Sequence, residues 1–310
     1  MKLVMCAPIG VLALTLAACG GQSAPQASSA PTGTGSSASS APVAVVASTN
    51  VYGSIVQAVG GDAVQVTSII DDPDKDPHEY EADVQNQLAL SKAAVVVENG
   101  GGYDDFVDTM LKAGSGKATA INAANLSGYD QDPAQGEFNE HMWYDLPTVS
   151  KVVDTLAADL GQASPSNAAT FTANAQSFKT QLDTLVAKEA AIKKAHAGDG
   201  VAITEPVPLY LLDASGLVNK TPEEFSESIE EGTDVAPPVL SETLRLFDDK
   251  QVKLLAYNEQ TTGPQTEAVL KAAKENGVAV VPVTETLPAG KDYLSWMGDN
   301  LQAVSDALGS

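Results

Sequence analysis

Four side chains on separate stretches of the chain carry the ligand types of a divalent transition metal: His78, His141, Glu205 and Glu285. Neutral imidazole nitrogens suit zinc, manganese and iron, and carboxylates add charge. Two neutral histidines and two carboxylates cancel a 2+ ion, so the loaded site carries little net charge into a buried position. A single loop histidine is by itself a weak signal. What strengthens these four is position, since each stands at or near the end of an apolar run. His78 lies in the acidic turn DDPDKDPHEY, directly after the β-branched run Val64–Ile70. His141 precedes Met-Trp-Tyr-Asp, with Asp145 reading as a helix cap and Pro147 in the first turn. The third histidine, His196, closes a Lys-rich helical stretch, where a helix C-terminal dipole role accounts for it. Glu79, Glu98, Asp145 and Glu259 are candidate outer partners, with capping or surface charge the plainer reading of each.

The elements that must position these residues follow from pattern. Val43–Thr49 and Val64–Ile70 read as buried strands, as do 93–97 and 118–121. Helix-like segments at 52–59, 83–90 and 104–112 separate them, and another helix runs from Asp145 to Leu160. Strand–helix alternation argues for a parallel sheet with crossover helices. The alternation resumes after residue 198, with strands at 201–204, 252–257 and 278–283. Helix-like segments lie at 207–212, 239–247 and 266–274, and Tyr293–Leu308 forms a terminal amphipathic helix. Between the halves, Phe171, Ala175, Phe178, Leu182, Leu185 and Ile192 fall on one helical stripe, interrupted by Glu189, in a stretch free of glycine with proline only at its start. About 30 residues at about 1.5 Å each give roughly 45 Å, enough to lie across two lobes; two shorter helices are the alternative. Open parallel sheets bind ligands beyond the carboxyl ends of their strands. Two candidates then come from each lobe, so a cleft between the lobes collects all four. No internal repeat is visible, although the halves share an architecture.

Composition excludes other classes. The 310 residues suit two lobes of ordinary size. Forty acidic against 17 basic residues give a net charge of -23 with no basic stripe, which argues against nucleic acid; solubility is the plain reading of the acidity. The N-terminus reads as an export segment: Lys2, an apolar stretch 3–16, then Leu16-Ala17-Ala18-Cys19-Gly20. It resembles a bacterial lipobox, with cleavage before Cys19 and lipid on its sulfur. The other cysteine, Cys6, lies in the removed segment, so the mature chain has no internal disulfide. The expected organisation is a signal peptide 1–18, a lipidated and flexible Ser/Ala/Pro/Gly tether 19–42, a first α/β lobe 43–163, a linking helix 164–197 and a second α/β lobe 198–310.

DPHEYE (Asp76–Glu81), the NGGGYDD segment (Asn99–Asp105), NEHMWYD (Asn139–Asp145) and TETLPAGKDYLSWM (Thr284–Met297) together resemble the metal solute-binding lipoproteins of bacterial zinc/manganese ABC importers. The likeness runs from Val43 to Leu308. It implies two lobes, each a four-stranded parallel sheet flanked by helices, joined by one long rigid helix. It implies a site between the lobes, with His78 and His141 matching the family's two first-lobe histidines and Glu285 its C-terminal carboxylate. Glu205 stands where the family has His or Glu. The implied cargo is Zn2+ or Mn2+. The implied partners are a membrane permease and, through the N-terminal lipid, the extracytoplasmic face of the membrane, with the protein acting as a monomer. The family's zinc members often carry a third histidine and a His-rich loop; this chain has Glu205 and an acidic loop at 128–140, which leans toward manganese or broader divalent specificity. A zinc-dependent metallohydrolase and a surface adhesin are the competing readings. Four protein ligands close the site against catalysis, and H-E-x-x-H, G-x-S-x-G and P-loop patterns are absent.

Overall fold

Alternation along the strands shows how the layers form. In β1 (Val43–Thr49), Val43, Val45 and Ala47 face one apolar core while Val46 faces another. In the strand Val95–Glu98, Val95 and Val97 join the first core and Val96 the second. Successive side chains point to opposite faces, and a parallel sheet covered on both faces takes apolar residues on each. The protein is seen here as a computed structural model that describes residues 41–72, 80, 83–114, 116–134 and 136–309; the signal segment 1–18, Cys19 and all of the 19–42 tether but its last two residues lie outside the described residues.

The first lobe runs β1, α1 (Asn50–Gly60), β2 (Val64–Ile70), α2 (Val84–Lys92), β3 (Val95–Glu98), α3 (Asp105–Ala113), β4 (Thr119–Asn122), α4 (Ala123–Ser127) and α5 (Leu146–Ala163). Asp83 caps α2, accepting from the backbone N–H of Gln85 and Asn86, and Asp145 caps α5, accepting from that of Thr148. Then comes α6 (Ala168–His196), a single unbroken helix of 29 residues. The second lobe runs β5 (Gly200–Ile203), α7 (Leu209–Ala214), β6 (Val218–Asn219), α8 (Glu223–Glu230), α9 (Pro237–Asp248), β7 (Leu254–Asn258), α10 (Pro264–Glu275), β8 (Ala279–Val283) and α11 (Tyr293–Leu308).

Both sheets are parallel and share one strand order: β2-β1-β3-β4 and β6-β5-β7-β8. The order reverses beside β1 and beside β5, so each sheet opens a crevice at the carboxyl ends of its two central strands. Asn50 and Asn99 stand at that edge in the first lobe, and Glu205 and Asn258 in the second.

One apolar core joins the two lobes. It takes Val45 and Val97 from the first sheet, Val201, Ile203 and Leu254 from the second, and Leu156, Phe178, Leu182 and Trp296 from α5, α6 and α11. Separate outer cores lie under α2 and α3 and under α8, α9 and α10. Along α6 the buried positions are Phe171, Ala175, Phe178, Leu182, Leu185, Glu189 and Ile192. The stripe is therefore not interrupted at Glu189; the carboxyl is buried within it.

The stretch 213–238 carries no element in the sequence reading, yet it holds β6 and α8. β6 pairs through two residues only, Val218 with Gly200 and Asn219 with Val201, too few to show a period. In α8, the buried apolar residues are Phe225 and Ile229, one turn apart among acidic neighbours. Among the described residues no helix is long and apolar enough to cross a membrane.

Candidate metal centre

The first-lobe wall is built by the loop after β3. Gly100, Gly101 and Gly102 all take positive φ (74°, 69° and 104°), a run that residues with a Cβ rarely adopt. The turn closes on Asp104, whose carboxylate accepts from Asn99 N at 2.6 Å and Gly100 N at 2.7 Å. Burial holds that carboxyl up at about 6. Tyr52 Oη donates to Asn99 Oδ1 at 2.6 Å, and Asn99 Nδ2 donates to the Glu140 carbonyl at 2.7 Å. The loop thus fixes Tyr103, which is buried, and supports the segment that carries His141.

His141 is fully buried. Its ring meets Trp143 edge-on at 5.2 Å and Tyr103 at 6.0 Å. Nδ1 lies 2.7 Å from Asn139 Oδ1. Nε2 lies 3.2 Å from Oε1 of Glu230, the last residue of α8 in the other lobe. Glu140, His141 and Glu230 each offer a ligand atom within 4.8 Å of the others, and they are the one such group among the described residues. Metal bonds of about 2.0–2.1 Å at tetrahedral angles set neighbouring donor atoms about 3.3 Å apart, so the Nε2–Oε1 spacing suits two ligands of one small cation. Burial pushes the Glu140 carboxyl up to about 7.

Glu285 is buried just past β8. Its Oε1 accepts from Asn258 Nδ2 at 2.9 Å, and Tyr103 Oη reaches its Oε2 at 3.5 Å. Gln260 Oε1 accepts from the backbone N–H of both Glu285 and Thr286, at 2.6 and 3.2 Å, pinning the turn. Tyr103 therefore touches the surroundings of both His141 and Glu285. Glu205 is 3% exposed, directly after Thr204 at the end of β5. Both carboxylates sit at strand ends, as the sequence reading requires, but outside the Glu140–His141–Glu230 group. His78 and Glu79 lie outside the described residues.

Hydrogen bonds cross between the lobes beside each of these residues. Tyr144 Oη donates to Thr284 O at 2.9 Å, next to Glu285. Asn139 Nδ2 donates to Pro206 O at 3.1 Å, next to Glu205. Asn50 makes a reciprocal pair with the Leu287 backbone at 3.0 and 2.8 Å, and Tyr293 Oη donates to Trp143 O at 2.6 Å. Beside the centre opens a cavity of about 840 Å³, with Glu137, Glu140, Glu223, Glu227, Glu230 and Glu231 on its wall and no basic residue among its described lining. Burial, then the neighbouring carboxylates Glu137 and Glu223, lifts Glu227 to about 7. Such a wall favours cations over anions.

Of the other candidates, Asp145 caps α5 and Glu259 is exposed, so the plainer reading holds for both. Glu98 is buried and accepts from Asn122 Nδ2 at 3.0 Å. His196 ends α6 with Nδ1 3.1 Å from Asp199 Oδ2. Glu230, Glu140, Asn139 and Tyr103 were not among the sequence-derived candidates. Glu140 adjoins His141, and Tyr103 lies in the NGGGYDD segment, so each had a local signal; Glu230 had none.

Two parallel-sheet lobes bridged by one helix, with imidazole and carboxylate groups gathered where their strand ends face each other, define a two-lobed α/β solute-binding protein. The family model described as zinc-uptake complex component A, periplasmic, matches residues 45–307, and the chain belongs to this family, one of uptake components and not of enzymes. The manganese-binding lipoprotein MntA of Bacillus subtilis is 29% identical over 242 residues, covering 76% of this chain and 77% of that protein. The periplasmic zinc-binding protein TroA from Treponema pallidum has the same fold, with a TM-score of 0.73 at 18% identity over 87% of this chain and 99% of its own. So does a mutant of the laminin-binding adhesin Lmb from Streptococcus agalactiae, at 0.71 and 21% identity over 86% and 99%. These two likenesses concern the fold alone, so the second brings no host-binding role to this chain.

Proposed function

We propose that this protein captures a divalent transition metal, zinc or manganese, between its lobes and delivers it to an ABC import permease in the membrane. The observation that carries this reading is the buried His141 Nε2 facing Glu230 across the lobe junction at 3.2 Å. Glu285 and Glu205, buried at the strand ends of the second lobe, supply further carboxylate, and His78 supplies the second imidazole. Glu140 and Glu230 are added to the sequence-derived set by their place beside His141. The acidic cavity raises the local cation concentration at the entrance. Its family and the manganese-binding name of its relative agree with this cargo. The protein works as a monomer of two lobes, 43–163 and 198–310, on the linking helix 164–197. Residues 1–18 direct export, lipid on Cys19 holds the mature chain at the extracytoplasmic face of the membrane, and the 19–42 tether lets the lobes reach the permease.

The test is calorimetry on metal-stripped protein with zinc and manganese in competition. His141→Ala and Glu230→Gln each weaken binding at least tenfold, the range expected on losing a ligand or its close partner. Unchanged stoichiometry and affinity in both variants sink the proposed centre. Turnover of a hydrolysable substrate by the loaded protein would support the enzyme reading instead.

A further inference from the structure

Asn139 hydrogen-bonds to both lobes at once. Its Oδ1 lies 2.7 Å from His141 Nδ1 and accepts from the His141 backbone N–H at 3.1 Å. Its Nδ2 donates to Pro206 O at 3.1 Å, and its own carbonyl accepts from Tyr210 Oη at 2.6 Å. Two backbone groups settle which way the amide points. The His141 N–H only donates and the Pro206 carbonyl only accepts, so the oxygen faces His141 and the NH2 faces Pro206. An amide oxygen cannot donate. The neutral His141 ring therefore carries its proton on Nδ1 and its lone pair on Nε2, the nitrogen that faces Glu230. Pro206, the neighbour of Glu205, and Tyr210 on α7 belong to the second lobe, whereas Asn139 and His141 belong to the first.

The geometry points to Asn139 as a positioning residue that makes the metal-ready tautomer of His141 depend on the seating of the second lobe. With Pro206 and Tyr210 in place, the amide has one orientation and the ring presents Nε2. When the second lobe moves away, the Pro206 acceptor of the amide and the Tyr210 donor to the Asn139 carbonyl are lost, the His141 N–H alone holds the side chain, and the amide is free to turn and release the ring to its other tautomer. Lobe separation then lowers affinity at His141 in addition to withdrawing the second-lobe carboxylate of Glu230. Such a device suits a protein that must hold a cation and later give it up, and in this respect it rests on the cargo reading above. A hydrogen bond to the distal nitrogen of a ligating imidazole typically changes metal affinity 10–100-fold.

Three full-length variants separate the parts. Asn139→Ala removes the acceptor and the Pro206 contact and keeps the backbone carbonyl that Tyr210 reaches. Asn139→Asp keeps an acceptor whichever way it turns but has no donor for Pro206 O. Tyr210→Phe keeps the amide and removes one lobe contact. In metal-free protein with 15N-labelled histidine, at a pH where the ring is neutral, the His141 ring shifts report the tautomer. Wild type and Asn139→Asp give Nδ1–H. Asn139→Ala gives a mixture with Nε2–H and binds zinc 10–100-fold more weakly, and Asn139→Asp restores binding to within about threefold. Tyr210→Phe gives a partial mixture and severalfold faster zinc release. Nε2–H in the wild type, or wild-type shifts in Asn139→Ala, overturns the positioning role. Wild-type shifts and release in Tyr210→Phe overturn the coupling to the lobes. Failure of the wild type to bind zinc or manganese, with the shifts behaving as described, overturns the cargo reading and leaves the role of Asn139 standing.

Discussion

Nε2 of His141 is a ligand only while it carries a lone pair, and Glu140, at about 7, holds its proton more tightly than an exposed glutamate does. Both protonations oppose a cation in the same direction. Metal affinity therefore falls as pH drops through the histidine range, because loading must expel the protons. Calorimetric titrations between pH 8 and pH 5 check this, with His141→Ala lowering the slope and His78 and Glu140 keeping the rest; a flat affinity in the wild type excludes imidazole ligation. The residues behind this behaviour were unevenly visible in the sequence. His141, Glu205 and Glu285 stand beside apolar runs, and apolar runs are where strands and cap-bounded helices are read. Glu230 stands at the end of α8, whose thin apolar face leaves nothing to distinguish its carboxylate from the surrounding acidic residues. Asn139 had a spacing signal: it precedes His141 by two positions, as Asp76 precedes His78. The partner that gives Asn139 its meaning, Pro206, is 67 residues away, and no local pattern announces such a contact.

At the scale of elements, α6 was legible because every requirement of a long helix coincides in it: no glycine, proline only before it, and apolar residues at steps of three and four. The alternating strands were legible for the same reason. Glu189 was the misfit, and the structure places it in the buried stripe. Burial, then the charge of Asp145, raises its carboxyl to about 7. A raised acid pKa means that the folded state binds more protons than the unfolded state between about 4.5 and 7. The contribution of Glu189 is thus full below the unfolded value and is lost as pH rises through the folded one. Glu189→Gln keeps the size and removes the ionisation. Its Tm lies above that of the wild type at pH 8, and the gap narrows as pH falls through 7 toward 4.5. Thermal melts across that range measure it. A gap that widens on acidification would show that Glu189 is stabilised as the anion.

Taken whole, the molecule has two sheets but one main core. Residues of β1, β3, β5, β7 and β8 share it with α5, α6 and α11, so neither lobe closes its inner face without the other. The crossing hydrogen bonds of Asn50, Asn139, Tyr144 and Tyr293 reinforce the same junction. A lobe that unfolded alone would strip water-excluding partners from its neighbour and expose α6, whose buried stripe serves both. The two lobes therefore unfold together. Scanning calorimetry of metal-free protein gives one transition whose calorimetric and van 't Hoff enthalpies agree. Leu182→Ala, in the buried stripe of α6, destabilises that single transition by about 2–5 kcal/mol without dividing it. Bound metal shifts it upward as one unit, by about 2.7 kcal/mol at a free concentration one hundred times the Kd. Two resolved transitions, with only one of them moved by metal, would mean that the lobes are independent domains and that α6 is a tether between two cores.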